Sequence, residues 1–478
     1  MKSTMKNNIL FLSLMAVFSV HGQQVQWAGK LIKFSSDLGG KQHGIKRILG
    51  KPDAFPQGGP SANAWMPKNA LDGNETVEVG FETPQTVKQV AVFENMNAGC
   101  VVRIAVDDGS GKYKTVWSRD INWRRNLYTS QFPADRKYYY NRKRRKIQSA
   151  PEVDVNPGIE HAILDQAVAH VVAVRVDFSF ALVPGQKQVD AIGISDSETP
   201  MEASIHSAQE FASLPRPEKL DLGGLMPSNP ILNPDGNKLY FTDFTNPKEV
   251  IYSCIKNDGR WSAPSQEMNA LNDDDQFNYL YGIHDNWALK GGKSYSRGTG
   301  ETGYAFYGGQ GDAMAVSGIL KVAAYNNYDD TSELTISADA QTIIMGIETD
   351  MTQGGADLYF SNRKEDGSYG FLQNMGKAIN SAADESMPRL LSDNKTLLFS
   401  SNGFSNYGDY DIFVTYRLDD SWKNWSEPVN LGSSINSGSF DGSPWYDERN
   451  GELYFIRTVD GQTGIYHVHL PKSQLMKG

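Results

Sequence analysis

The residues able to do chemistry are scattered along this chain rather than gathered into a motif. Of its eight histidines, His21, His43, His161, His170, His206 and His284 stand singly. Only His467 and His469, two apart in YHVHL, would share one face of a strand. Zinc needs three or four ligands, and no acid or thiol partner for this pair is evident, so they read as neighbouring surface histidines and no metal site is expected. The acids Asp273 to Asp275 and Asp419 with Asp420 are of the kind that glycosidases set on either side of a scissile bond. They lie in turn-like contexts, where Asp bonds its own backbone, and turn formation is the expected role. No nucleophile elbow, paired-histidine metalloprotease helix, phosphate loop or calcium loop occurs. The expectation is a chain with no catalytic residues, no cofactor and no enzymatic activity.

One stretch is chemically distinct. Residues 119–149 hold ten Lys or Arg against two Asp, a net charge of +8 in a chain of net charge −10. At its centre, Arg136, Lys137, Tyr138, Tyr139, Tyr140, Arg142, Lys143, Arg144, Arg145 and Lys146 interleave cations with tyrosines. Three readings stand: a solvated hairpin, a contact with an acidic protein surface or with anionic lipid or polysaccharide, and nucleic-acid binding. The acidic balance of the whole chain and its expected export weigh against the third. The second makes these ten residues the candidate partner-binding site.

Residues 1–22 have the form of a cleavable signal peptide, with Lys2 and Lys6 before the apolar run Ile9 to Val20 and a small-residue exit at Gly22. That run is too short to span a bilayer comfortably and has no second copy, so a mature chain without a transmembrane span is expected. The expected address is the periplasm, with secretion or surface association as alternatives. Two cysteines, Cys100 and Cys254, lie far apart in strand-like sequence and read as buried thiols rather than a disulfide.

The elements that must position these groups are strands throughout. Residues 24–195 carry β-branched runs at 75–81, 87–94, 100–106, 113–117, 170–180 and 189–195, separated by Gly, Asp, Asn and Pro turns. The order ALDGNETVEVGF, QVAVFEN, DDGSGKYKTVW, VRVDFS and VDAIGIS resembles the jelly-roll discoidin or galactose-binding-like domains, with residues 119–149 as an insertion. That resemblance implies a sandwich that could bind a glycan. Trp65 in NAWMP is the one ring placed to stack on a sugar, although packing over the sandwich is the commoner fate of such an aromatic. Residues 196–219 are polar and carry three prolines, and read as a linker.

From 220 to 471 the chain repeats. A polar turn runs into an apolar strand five times, in NPDGNKLYF, HDNWALK, SADAQTIIM, LSDNKTLLF and DERNGELYF. The turn acids Asp235, Asp285, Asp339 and Asp393 are 50, 54 and 54 residues apart, with Asn450 a further 57 on. A period near 50 is the size of one four-stranded propeller blade. The segment from Lys219 resembles the one from Pro428, so the start of the region should supply the strand that the last blade lacks. The fold class expected is therefore all-β, an N-terminal jelly-roll sandwich followed by a five-bladed β-propeller.

NPDGNKLYF, MPRLLSDNKTLLFSSNG and the blade ending at Trp425 to Asn436 resemble the Pro-Asp-Gly propeller repeats of TolB-type envelope proteins. Joined to a sandwich, such a ring is similar to accessory proteins of outer-membrane machines, including the type IX secretion translocon. The resemblance implies a non-enzymatic periplasmic scaffold that docks on an outer-membrane complex. The alternative is a secreted carbohydrate-binding or glycan-active propeller protein.

Overall fold

The computed structural model describes residues 23–120, 156–309, 313–329 and 331–477. The leader 1–22 and the basic run from Arg136 to Lys146 lie outside the described residues. What is described is nearly all strand, in one N-terminal sheet system and five smaller sheets.

The N-terminal strands are β1 (Val25–Trp27), β2 (Lys30–Phe34), β3 (Asn74–Glu94), β4 (Val101–Asp107), β5 (Tyr113–Ser118), β6 (Gly158–Ser179) and β7 (Ala191–Ser195). Two of them are long enough to serve two leaves. The first part of β3 pairs with the end of β6, from Asn74↔Ser179 to Gly80↔Ala173, and is flanked by β2, β4 and β5. The last part of β3 pairs with the start of β6, from Gln89↔Ile163 to Glu94↔Gly158, and is flanked by β7 and β1. Register shifts between Gly80 and Gln89 bend the pair where it passes from one leaf to the other. Val77, Val79, Ile104 and Val174 of one leaf meet Val90, Val92, Ile192 and Ile194 of the other in a single apolar core. The sequence reading divided β3 at Glu82 to Thr86. Pro84 sits there in an exposed stretch, but the strand continues because residues 81–84 have no ladder partner in β6, so the missing proline N–H costs no ladder bond, and pairing resumes at Gln85↔Val171.

Five sheets follow as blades of a ring. Blade 1 has Pro227–Leu232 innermost, then Lys238–Asp243 and Val250–Asn257, with Ser265–Gln266 outside. Blade 2 runs from Tyr279–Ile283 through Trp287–Gly291 and Glu301–Gly308 to Ala315–Ala323. Blade 3 holds Ser332–Ile336, Thr342–Ile347, Asp357–Asn362 and Gln373–Asn374. Blade 4 holds Glu385–Leu390, Thr396–Ser401, Asp411–Tyr416 and Val429–Asn430. Blade 5 has Phe440–Asp447, Glu452–Val459 and Gln462–His469, and its outer strand is Glu218–Lys219, from before blade 1. The ring closes by the strand exchange that the sequence similarity of its two ends predicts.

The repeated sequence signals have local causes. In the turns, the Asp339 carboxylate accepts the Gln341 N–H and that of Asp393 accepts the Lys395 and Thr396 N–H groups. The blade-ending Asn does a second job. Asn436 accepts the Ile412 N–H and donates to the Ile412 carbonyl, both at 2.9 Å, so its amide stands in for a missing strand. Asn380 does the same for Leu358 and Asn272 for Ile251. Between blades the filling is apolar: Leu289 with Leu334, Leu358 with Leu397, Leu398 with Leu453, and Leu239 with Tyr454 share four successive cores around the ring.

The sandwich is seated on the ring. Buried Asn63 accepts the Ala382 N–H at 2.7 Å and donates to the Gly403 carbonyl. Lys41 donates to the Asp350 carbonyl, Arg47 to that of Gln353, and Ser405 to that of Pro52. The stretch 196–219 is itself packed: Ser207 bridges to Asn430, and Phe211 and Leu214 are buried with blades 4 and 5.

Candidate functional site

Each blade sends one residue of its innermost strand into a throat on the ring axis: Asn229, Tyr281, Glu333, Met387 and Ser443, at intervals of 52, 52, 54 and 56 residues. In four blades the inner strand carries one extra residue at this point, a bulge that turns the side chain out of the ladder. Asn229, Met387 and Ser443 have φ of 47°, 54° and 49°, and each precedes a proline, Pro230, Pro388 or Pro444. Proline has no N–H to lose from the ladder, so the bulge leaves no donor stranded. Blade 3 is regular, and Glu333 reaches the throat without a bulge.

Above the throat, on the face where the inner strands begin, the ring opens into a cavity of about 950 Å³. Its wall is aromatic. Tyr281 meets Tyr304 edge to face at 5.1 Å, Tyr295 meets Tyr325 at 5.7 Å, and Phe277 stacks on Tyr279. The Tyr304 hydroxyl is fixed by the Ser332 carbonyl at 2.7 Å. At the rim Lys293 is committed to Asp273 and, at 2.8 Å, to Asp275.

Two carboxyls border this cavity. Burial pushes Glu333 up to about 7, against the single Met387 N–H it accepts at 2.6 Å, which favours the anion. Burial likewise raises Glu249, whose carboxyl faces the Tyr279 hydroxyl and whose Oε2 has no hydrogen-bond partner within the protein. Burial, Glu249 and Glu333 together hold the Tyr279 phenol protonated far above neutral pH. An acid that is half-protonated near neutrality, in an aromatic cleft whose lining includes a second carboxyl with raised pKa, is an arrangement suited to donating and accepting protons.

The structure places the sequence candidates elsewhere. The basic run is outside the described residues. His467 and His469 flank the Glu452 carboxylate at 3.4 and 3.2 Å, an acid partner the sequence did not reveal. Among the described residues no group of three His, Cys, Asp or Glu side chains is arranged to hold a metal ion. Asp273 both accepts its own turn N–H from Asp275 and pairs with Lys290 at 2.7 Å, and its pKa falls because these cations outweigh its burial. Asp419 is a turn former, accepting the Ser421 N–H. Trp65 is buried against Phe178 and is not a stacking platform. Cys100 and Cys254 are free, buried thiols, pushed up to about 12 and about 11 by burial. The hub carboxyls were missed. The signal that finds them is the recurrence of a residue before proline in SNPIL, SMPRL and GSPWY, which aligns the inner strands and points to Glu333 in SELTI.

No family model matches the chain, and no curated protein matches it. Among solved structures it is similar to TolB from Acinetobacter baumannii, at 11% identity and a TM-score of 0.30 over 51% of this chain and 54% of that one. The match thus spans about half of TolB. It is also similar to an endo-arabinase from Bacteroides thetaiotaomicron VPI-5482, at 16% identity and 0.36 over 54% and 97%, and to an α-L-arabinofuranosidase from Lactobacillus brevis, at 10% and 0.34 over 51% and 91%. These likenesses are of fold alone. They nonetheless correct one expectation from the sequence, that the chain is not an enzyme: propellers of this kind are the scaffolds of an endo-arabinase, an arabinofuranosidase and a GH43 protein. The inert reading rested on the lack of a contiguous motif, and residues that meet at a hub built from five blades can lie far apart in sequence.

Proposed function

We propose that the chain is a glycan-active protein whose hub cavity binds a saccharide and whose Glu333 and Glu249 act on a glycosidic bond. The observation that carries this is the pair of carboxyls with raised pKa in one aromatic-walled cavity on the ring axis. Ring faces of Tyr and Phe pack against the C–H faces of sugars, and tyrosine hydroxyls at their edges meet sugar hydroxyls. Glu333, half-protonated near neutrality, supplies the acid for the leaving oxygen, and Glu249 is the second carboxyl that such cleavage needs. The sandwich, read as discoidin-like, adds a second carbohydrate surface. Residues 1–22, read as a signal peptide, put the protein outside the cytoplasm, and no helix among the described residues is long and apolar enough to cross a membrane.

The test is a glycan array together with release of reducing ends from a panel of polysaccharides. Binding is expected to survive Glu333→Gln while turnover falls about 100-fold or more. A wild-type chain that neither binds nor cleaves any member of the panel overturns the reading, as does Glu333→Gln with full turnover.

A second reading, an accessory subunit of an outer-membrane translocation complex such as that of type IX secretion, is favoured by the seating of the sandwich on the ring, which offers a partner one continuous two-part surface. It assigns the contact to the basic run. Replacing Arg142, Lys143, Arg144, Arg145 and Lys146 with serine is then expected to abolish co-purification with that complex, and retained co-purification removes the assignment.

A further inference from the structure

On the opposite face, where the inner strands end, lies a second pocket of about 310 Å³, separated from the glycan cavity by the throat, whose free volume is only about 40 Å³. Arg389, next after the bulged Met387-Pro388 of blade 4, forms its floor. The guanidinium lies over the Trp445 indole, 3.3 Å from ring centroid to Cζ. Its Nε is out of contact with water and has no hydrogen-bond partner, and among the described residues no carboxylate comes within ion-pair distance of it. The nearest opposite charge, Glu448, already accepts the Ser392 N–H at 2.7 Å and the Ser392 hydroxyl and faces Lys472 at 3.5 Å. Asp447 is taken up by the Arg449 and Asn450 N–H groups and the Asn450 amide.

A guanidinium whose Nε is out of water with neither a hydrogen bond nor a counter-ion is costly, and its planar fork of donors fits two oxygens of one anion. Burial lowers Arg389 only to about 10, so it stays a cation at neutral pH. His284, stacked on Trp287 at 4.0 Å, lines the same pocket and is held neutral there by burial and by the Arg389 charge. The neutral ring keeps an N–H to offer without a charge of its own.

We propose that this pocket is a binding site for an oxyanion, a carboxylate or a phosphate, whose oxygens take the free edge of the Arg389 guanidinium while Trp445 fixes the plane of that fork. The site is independent of the glycan cavity and stands whether or not a saccharide binds there.

The experiment is a series of thermal melts of the full chain with sodium glucuronate, acetate or inorganic phosphate, against sodium chloride at matched ionic strength, repeated on Arg389→Met and Arg389→Lys. The wild type is expected to show a saturable rise in melting temperature with at least one of the three probes, and which one separates a carboxylate ligand from a phosphate. Arg389→Met, which removes an unpaired charge, is expected to melt at or above the wild type without anion and to lose the rise. Arg389→Lys keeps the charge but not the fork and is expected to bind at least tenfold more weakly; it also serves if the methionine variant does not fold. A rise of equal size in wild type and variants would be a general salt effect and would overturn the site, as would no rise with any probe.

Discussion

At the scale of single residues, the hub and the blades hold an unusual number of carboxyls whose folded-state pKa lies above the ordinary value. Burial raises Glu333 to about 7, Asp411 to about 7 and Glu385 to about 8. Each binds its proton more tightly folded than unfolded, so between about pH 5 and 8 the native chain holds more protons than the unfolded one and stability falls as pH rises. The depressed acids Asp273 and Asp177 act in the opposite sense only in the acid range, and His284, lowered by burial to about 4, opposes the trend below about pH 6.5 but is outnumbered by the raised carboxyls. The melting temperature is therefore expected to be higher near about pH 5.5 than near about pH 8. Glu333→Gln tests one group of the set: its amide oxygen can still accept the Met387 N–H, but there is no charge to bury. That variant should melt like the wild type at the lower pH and above it at the higher. Equal melting at both values would show that Glu333 is ionised in the folded chain, and would remove it as a proton donor.

At the scale of elements, the amide braces are where sequence and stability meet. Asn436 satisfies both backbone groups of Ile412 and also donates to the Asn430 side chain at 2.8 Å, all out of water. Asn436→Ala strands a buried N–H and a buried carbonyl, and is expected to cost about 2–4 kcal/mol in urea unfolding. Asn272→Ala should cost less, because Asn272 lies nearer the surface of blade 1. A loss under about 0.5 kcal/mol for Asn436→Ala would mean that water or a shifted strand replaces the amide. The same braces show what sequence alone can carry. Turn acids, apolar strands, blade-ending asparagines and the shared pattern at the two ends act on their near neighbours in the chain, so the ring, its five blades and its closure were legible. The bend in β3 was not, because which of its residues go unpaired is decided by β6, eighty residues later. Nor was the throat: a bulge at Met387 depends on register with Thr396–Ser401, and the approach of Glu249 and of Glu333 to Tyr279 depends on separate blades closing round an axis. Local pattern sets what each strand is, and only the closed ring sets what the strands face.

At the scale of the whole molecule, the polar stretch 196–219 reads as a loose tether in sequence, yet the sandwich and the ring are joined by more than a chain. The join is small and mostly polar: three side-chain contacts to backbone carbonyls from Lys41, Arg47 and Ser405, an exposed Lys51 to Glu427 pair at 3.4 Å worth little in water, and the buried amide of Asn63. Asn63 is withdrawn from solvent, and it reads two backbone groups at once, the Ala382 N–H and the Gly403 carbonyl. Asn63→Leu keeps the volume but leaves both groups buried and unbonded, a cost of about 2–6 kcal/mol to the join. Neither the sandwich core nor the inter-blade cores contain Asn63, so each part should stay folded. Calorimetry of the wild type is expected to show one cooperative transition, and Asn63→Leu two, with faster proteolytic cutting between Asp196 and Pro217 as the packed stretch is freed. A single unchanged transition in the variant would show that Phe211 and Leu214, buried against blades 4 and 5, anchor the sandwich by themselves.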